Sequence, residues 1–154
     1  MVMPDPFVKI DVKNSVTNWL INFEEAINQN NADAASLLFV EDGHWRDLLA
    51  FTWHIRTVNG PSEIKDMVKE TAVNSGAKSL KIAQHRTPPR VVDRGDTVCI
   101  EAFIEFKTKA GPASGILRLV PDSGSPDGVK AWVLLTSLEE ISDCLLYTSD
   151  AADE

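Results

Sequence analysis

The sequence predicts an α+β fold in which helices cover one face of a curved antiparallel sheet. Apolar residues recur at helical spacing near the N-terminus, in the order Val16, Trp19, Leu20, Phe23 and Ile27. A Gly-Pro pair then opens a second amphipathic pattern in the middle of the chain. The second half instead alternates apolar and polar residues with period two, which is the repeat of a half-buried strand. Helices followed by a run of strands are typical of α+β domains.

Two helices are expected before residue 40. The first runs from about Val12 to Gln29, with Asp11 or Ser15 as its N-cap. The second is short, from Ala32 to Phe39, and the pair Leu37-Leu38 is expected to face inward.

The middle of the chain is expected to be a turn, an extended segment and a third helix. Glu41-Asp42-Gly43 has turn composition, and Trp45 to Val58 follows as extended chain that could fold back as a hairpin. Gly60-Pro61 starts the third helix, because a proline at N1 lacks only an N–H that would be unpaired there. Asn74-Ser75-Gly76 ends it as a C-cap.

The second half is expected to be an antiparallel meander. Its strands are predicted at Ser79 to His85, Thr97 to Lys107, Gly115 to Pro121 and Val129 to Leu138. The Thr97 to Lys107 strand has the clearest alternation. The expected register places Glu105 opposite Arg118 as a cross-strand ion pair, with a structural role rather than as a substrate clamp.

The last eleven residues are expected not to belong to the fold. Residues 144 to 154 read CLLYTSDAADE, and the back-translation resembles a transposase mosaic-end sequencing adapter. Removing them takes away Asp150, Asp153 and Glu154, so the formal charge of -8 becomes -5. It also leaves Cys99 as the one cysteine, which cannot form an internal disulfide. Under this interpretation the natural reading frame continues past Asp143.

Composition argues against several classes of protein. The chain is acidic and has no run of Lys and Arg, which argues against binding nucleic acid or anionic membranes. No apolar run approaches the ~20 residues of a membrane span, and the Cys/His spacing of a zinc site is absent from the sequence. No glycine-rich dinucleotide or phosphate motif is present. These features predict one globular, cytoplasmic domain that binds neither cofactor nor metal.

The segment from Asp42 to Gly60 carries most of the groups suited to chemistry. His44 and His54 could transfer protons near neutral pH, with Asp47 or Asp42 orienting the imidazole as an acid-base pair. The alternative is that both histidines are ordinary surface or hydrogen-bonded residues.

Aromatic residues and one arginine are the candidates for the wall of a small-molecule pocket. Trp45, Trp53, Trp132 and Arg56 are expected at its mouth, because apolar walls supply affinity and a few polar groups fix orientation. The alternative is that the tryptophans fill the core.

Three blocks of the sequence carry a family resemblance: LFVEDGHWRDLLAFTWHIRTVNGPSEI, GILRLVP and AWVLLTSLEE. They resemble the N-terminal domain of a flavin-containing monooxygenase-like family, over about residues 14 to 142. The order of elements is similar to the cone-shaped nuclear-transport-factor-2-like (SnoaL-like) fold. The resemblance implies an N-terminal arm over 1 to 13 and the cone over 14 to 142, and the adapter-like sequence makes 143 to 154 a non-native tail. It also implies a downstream domain that binds FAD and NAD(P)H. His54 departs from the acidic or amide residue expected of relatives.

Three functions follow from these expectations. The first is an accessory, non-catalytic front domain of a flavin-dependent monooxygenase, whose partner is the downstream domain of the same chain. The second is a free-standing dehydratase or isomerase that uses His54, Asp47 and His44. The third is a cone that binds a small molecule and forms a homodimer through its sheet. The fold does not choose among them, because one fold hosts many activities.

Overall fold

A computed structural model describes residues 11 to 52, 54 to 122 and 128 to 139. They form three helices, α1 (Val12–Asn28), α2 (Ala32–Ser36) and α3 (Gly60–Ser75). They also form seven strands: β1 (Phe39–Leu48), β2 (Ile55–Asn59), β3 (Lys78–Ile82), β4 (Arg90–Arg94), β5 (Thr97–Lys107), β6 (Pro112–Pro121) and β7 (Val129–Leu138). The predicted α+β class is confirmed.

All seven strands belong to one open, curved sheet with the order β2-β1-β7-β6-β5-β3. The short strand β4 pairs with β5 along the same edge as β3. Neighbouring strands are antiparallel except β1 and β7, which are parallel. The expectation of a wholly antiparallel sheet is therefore wrong at this junction. Alternation identifies strands but not their partners, and β1 and β7 lie at opposite ends of the chain.

The helix boundaries agree with the local sequence signals. Asp11 caps α1, since its carboxylate accepts a hydrogen bond from the Asn14 backbone N–H at 3.2 Å. Pro61 lies in the first turn of α3, and Gly76 ends that helix with φ of 62°, in the left-handed region that glycine tolerates.

The second helix and the turn after it were predicted wrongly. Helix α2 ends at Ser36, and Phe39 already belongs to β1. Leu37 is 67% exposed, whereas Leu38 packs against the core as expected. The residues 41 to 43 lie inside β1, where the register against β7 shifts between Phe39 and His44. The turn-forming residues thus produce an irregularity within a strand rather than a turn.

The edge strands also differ from expectation. Strand β3 ends at Ile82 rather than at His85, and β4 was not predicted at all. The sequence did not indicate β4, because Pro88-Pro89 precede it and residues typical of a turn begin at Asp93. Proteins commonly place charged residues and prolines at an edge strand, because such an edge resists pairing with the strands of other chains.

Strands β5 and β7 match their predicted bounds, but the register between β5 and β6 does not. Arg118 pairs with Glu101, and Glu105 pairs with Ser114, so the predicted Glu105–Arg118 pair is wrong. The turn is tighter than assumed, because the Thr108 hydroxyl lies within hydrogen-bond distance of Gly111 O at 3.0 Å. Strand β6 therefore begins earlier, at Pro112.

Aromatic rings fill the space between the helices and the concave face of the sheet. Trp19 stacks on Phe23 at 5.0 Å between centroids, and Phe23 meets Trp45 edge to face at 5.7 Å. Trp45 continues to Phe51 at 4.8 Å, and Phe51 to Phe106 at 5.8 Å. These rings are buried, so the interior of the cone is a packed core.

Candidate functional site

Asp47 is a buried carboxylate at the end of β1 where the chain turns toward β2. It is 0% exposed, and its two oxygens accept from the loop that follows. The Phe51 backbone N–H lies 3.0 Å from both Oδ1 and Oδ2, and the Thr52 N–H donates to Oδ2 at 2.7 Å. The Thr52 hydroxyl lies 2.9 Å from Oδ2. Asp47 therefore holds the β1–β2 loop in place.

A second set of contacts ties Asp47 to the last strand. The Thr136 hydroxyl of β7 donates to Asp47 Oδ1 at 2.5 Å and accepts from Trp45 Nε1 at 2.9 Å. The register explains this contact, because Asp47 of β1 lies directly opposite Thr136 of β7 in the parallel pair. Every buried side-chain polar atom in the described part of the chain has a partner. The charge is thus buried together with its hydrogen-bond donors, as burial of a carboxylate requires.

His44 cannot be the partner of Asp47. Successive side chains of a strand point to opposite faces, so Trp45 and Asp47 face the core while His44 faces outward. His54 lies in the loop on the other side and is exposed. Its backbone N–H donates to the Thr52 hydroxyl at 3.2 Å, but among the described residues no hydrogen bond joins its imidazole to Asp47. The structure does not assemble the expected acid-base pair.

A cavity of about 310 Å³ lies at this end of the molecule, between the β1–β2 loop, the end of α3 and the β5–β6 turn. Phe51 forms its floor, above the aromatic core. Its polar groups come from all three elements. The lining residues are Leu49, Ala50, Phe51, Thr52, His54, Arg56, Glu70, Thr71, Asn74, Ser75, Lys109 and Ala110. A volume of this size admits a small ligand.

Three charged side chains define the electrostatics of this mouth cavity. Arg56 pairs with Glu70 at 2.5 Å, and both side chains are partly exposed. Lys109 lies on the opposite wall, and its backbone N–H donates to Ser75 O at 2.8 Å, which fixes the β5–β6 turn against α3. The Arg56–Glu70 pair is neutral overall, so Lys109 leaves the cavity with one excess positive charge.

The predicted pocket residues are divided between this cavity and other places. Arg56 and His54 line it, as expected. Trp45 does not, because it is a fully buried member of the core. Trp132 lies at the irregularity in β7 between the residues that pair with Arg118 and Leu119, and it does not line the cavity. Trp53 lies outside the described residues.

Several lining residues were not predicted from the sequence. Glu70 and Asn74 are four residues apart on α3, which places them on one face of the helix. Lys109 follows the end of β5 in a turn. The spacing of Glu70 and Asn74 is visible in the sequence, but their meeting with the β1–β2 loop depends on how α3 packs on the sheet.

Two further features bear on function. The described residues contain no group of histidine, cysteine or acidic side chains that could hold a metal ion. None of the helices described here has the length and apolarity that a bilayer crossing requires.

Comparison with known proteins identifies the fold. No family model matches the chain, and no curated protein is significantly similar in sequence. A cystatin-like domain of unknown function from Nostoc punctiforme superposes with a TM-score of 0.63 at 10% identity, over 93% of this chain and 86% of that one. An NTF2-like protein from Novosphingobium aromaticivorans gives 0.55 at 16% identity, over 83% and 82%. A ketosteroid isomerase-like protein from Erwinia carotovora atroseptica gives 0.55 at 14% identity, over 82% and 95%. The chain therefore has an NTF2-like, cystatin-like fold.

Proposed function

We propose that this chain is an accessory, non-catalytic NTF2-like domain that stands in front of a flavin-containing monooxygenase-like oxidoreductase. Two independent facts support the proposal. The three sequence blocks described above resemble the front domain of that family. The interior of the cone is packed with rings, where a catalytic cone would need an open chamber with a proton-transferring group.

The environment of Asp47 is the main support for the proposal that this domain is not catalytic. The expected acid-base pair needs a carboxylate with a free lone pair toward a histidine ring, so that it can orient the imidazole for proton transfer. Both oxygens of Asp47 accept hydrogen bonds from the loop and from Thr136, and the residue is fully buried. Asp47 thus holds the mouth, and Glu70, the one carboxylate among the residues that line the cavity, is paired with Arg56.

The proposal assigns FAD and NAD(P)H to the downstream domain. Residues that hold a dinucleotide pyrophosphate present glycines and free N–H groups at a strand-to-helix turn. In the described residues, the chain passes from strand to helix at the β2–α3 junction. Pro61 follows Gly60 there and has no N–H that could bind a phosphate. The residues of this junction do not fit the cofactor, and its chemistry belongs to the domain that follows. A cytoplasmic location is part of the proposal, because Cys99 has no disulfide partner among residues 1 to 143.

Long-read sequencing of the source transcript through the codon for Asp143 tests this proposal. We expect an open frame that continues into a strand, a G-x-G-x-x-G turn and a helix. A stop codon shortly after Asp143 would overturn it. A second test expresses the complete protein with and without residues 14 to 142 and measures NAD(P)H oxidation. The FAD absorbance at 450 nm (a general property of flavins) should persist without the cone, because the cone does not hold the cofactor.

A second candidate is a free-standing dehydratase or isomerase, and His54 at the mouth favours it. The imidazole is exposed at the rim of a cavity of about 310 Å³, and Arg56 and Lys109 could stabilise an enolate oxygen there. One structure with the same fold is described as a ketosteroid isomerase-like protein.

Deuterium exchange α to a carbonyl separates the two candidates. The purified chain is incubated in D₂O with a panel of cyclic β,γ-unsaturated ketones and followed by NMR. The enzyme candidate predicts exchange that His54→Ala reduces at least ~100-fold and that the matched control His85→Ala leaves unchanged. Exchange equal to the buffer rate supports the accessory domain.

A further inference from the structure

A strip of basic side chains runs along strand β5 on the outer face of the sheet, opposite the face that packs on the helices. Strand alternation puts Glu101, Phe103 and Glu105 on this face, opposite the core residues Ile100 and Ile104. Six basic residues surround them from β3, β4, β5, β6 and the β3–β4 connection. The outer strip consists of Lys81, Arg86, Arg90, Arg94, Lys107 and Arg118, with Glu101 and Glu105.

Glu101 organises one half of the outer strip. It is 5% exposed, and Arg94 Nη2 and Arg118 Nε approach its two oxygens at 2.8 and 2.9 Å. Arg90 Nη2 lies further off, at 3.7 Å, on a side chain that is 52% exposed. Hydrogen bonds from Arg94, and after it from Arg118, hold the pKa of Glu101 below its ordinary value despite the opposing effect of burial. Three guanidinium groups thus share one ionised carboxylate.

The other half of the outer strip has a recess. The guanidinium of Arg86 lies 5.4 Å from the ring centre of Phe103, and Lys81 pairs with Glu105 at 3.4 Å. A cavity of about 410 Å³ opens here. Its charged lining residues are Lys81, Arg86, Lys107, Glu105 and Glu139, and Pro112 adds apolar surface. Arg86 and Lys107 have no acidic partner among the described residues.

Six basic side chains of the outer strip face three carboxylates, Glu101, Glu105 and Glu139 of the recess, in a chain whose formal net charge is -8. The guanidinium groups around Glu101 are held in place before any partner binds, which lowers the entropy cost of recognition. Arg90, Arg94 and Arg118 retain N–H groups that Glu101 does not use, and guanidinium forks match carboxylates well. We propose that the outer strip binds an extended, acidic peptide segment of a partner protein, with carboxylates on the guanidinium groups and an apolar residue in the recess.

Two other occupants fit less well. Single-stranded nucleic acid needs exposed rings on which bases stack, and the ring of Phe103 is already covered by Arg86. A second copy that paired its outer strip with this one would bring two sets of arginines together, which like-charge repulsion disfavours. An acidic peptide needs no exposed ring for stacking, and its charge is opposite to that of the arginines. This inference concerns residues other than those that line the mouth cavity and does not depend on the proposed function.

Fluorescence anisotropy of labelled hexaglutamate with the full chain tests the inference. We expect saturable binding at low salt that weakens as salt rises. Arg90→Gln and Arg86→Gln should each weaken binding about fivefold, in the range of one exposed charge pair. Lys69→Gln is the matched control, because it removes the same charge from exposed α3 on the other side of the molecule. It should stay within about twofold of wild type. Circular dichroism checks that each variant is folded.

Three results would overturn the inference. The first is no binding by the wild-type chain, and the second is an equal loss with Lys69→Gln and the two arginine variants, which indicates unspecific attraction. The third is tighter binding of labelled hexathymidylate than of hexaglutamate, which indicates a nucleic-acid surface. Sedimentation of the same samples adds a check: a stable dimer that Arg90→Gln dissociates and that hexaglutamate does not bind would assign the outer strip to a second copy.

Discussion

Replacing Asp47 with asparagine should destabilise the domain strongly while leaving its outline unchanged. Asparagine has the same shape, but one carboxylate oxygen becomes an NH₂ group, which is a donor. Whichever way the amide turns, that NH₂ faces a donor. At the Oδ2 position it faces the backbone N–H of Thr52, and at the Oδ1 position it faces the backbone N–H of Phe51.

The magnitude follows from the hydrogen bonds lost. A hydrogen bond to a charged group contributes about 1.5–3 kcal/mol, and a buried donor left unpaired costs about 1–3 kcal/mol. Asp47→Asn replaces a hydrogen-bond acceptor by a donor at a site that is 0% exposed and brings its NH₂ against at least one N–H donor. We therefore expect the free energy of unfolding to fall by about 3 kcal/mol. For a domain of this size that is a fall in Tm of about 12 °C.

Urea unfolding followed by tryptophan fluorescence measures this change. Asp42→Asn is the matched control, because Asp42 lies on the same strand but is exposed, and its replacement should cost under ~0.5 kcal/mol. Thr136→Val should cost about 2 kcal/mol, since it removes the link between Asp47 and Trp45. Equal stability of Asp47→Asn and Asp42→Asn would show that Asp47 does not hold the loop.

Three further changes have expected outcomes. The pKa of Glu101 is lowered in the folded chain, so its contribution to stability is present above the ordinary glutamate pKa and is lost as the pH falls below it. Urea titrations from pH 7 to 3 should therefore show a shallower loss of stability for Glu101→Gln than for wild type. Burial raises the pKa of the Cys99 thiol, so a disulfide reagent should modify it only at the rate of unfolding, which stopped-flow absorbance can check; fast labelling of the native chain would contradict its burial. A Cβ at Gly115 would overlap the carbonyl oxygen of Leu135, so Gly115→Ala should cost over ~2 kcal/mol in thermal denaturation. Gly95→Ala, with open space around it, should cost only about 1 kcal/mol of backbone strain.

Local signals in the sequence predicted local structure well. Helices α1 and α3 and strands β5 and β7 could be located because each has its own periodicity and its own cap or turn. Strand β4 and the irregular start of β1 were missed, because there the pairing partner decides the conformation. The register error at Arg118 has the same origin: it depended on the length of a four-residue turn that the Thr108 side chain tightens.

The candidate site was harder to predict for a related reason. His54 and Arg56 were found because they are close in sequence, whereas Glu70 and Lys109 join them only through the packing of α3 and the β5–β6 turn. Asp47, which was expected to orient a histidine, is buried and holds the β1–β2 loop instead. The outer strip could not be predicted from the sequence. Its residues, spread from 81 to 118, form no run in the sequence and meet only when four strands align.

The bond between Thr136 and Asp47 has a consequence for the order in which the chain becomes functional. The two residues are 89 positions apart, and this bond closes only when the last strand has paired with the first. Contacts between such distant residues form late, since they require a large loop to close. The β1–β2 loop is therefore tied to the last strand only after synthesis has passed residue 136.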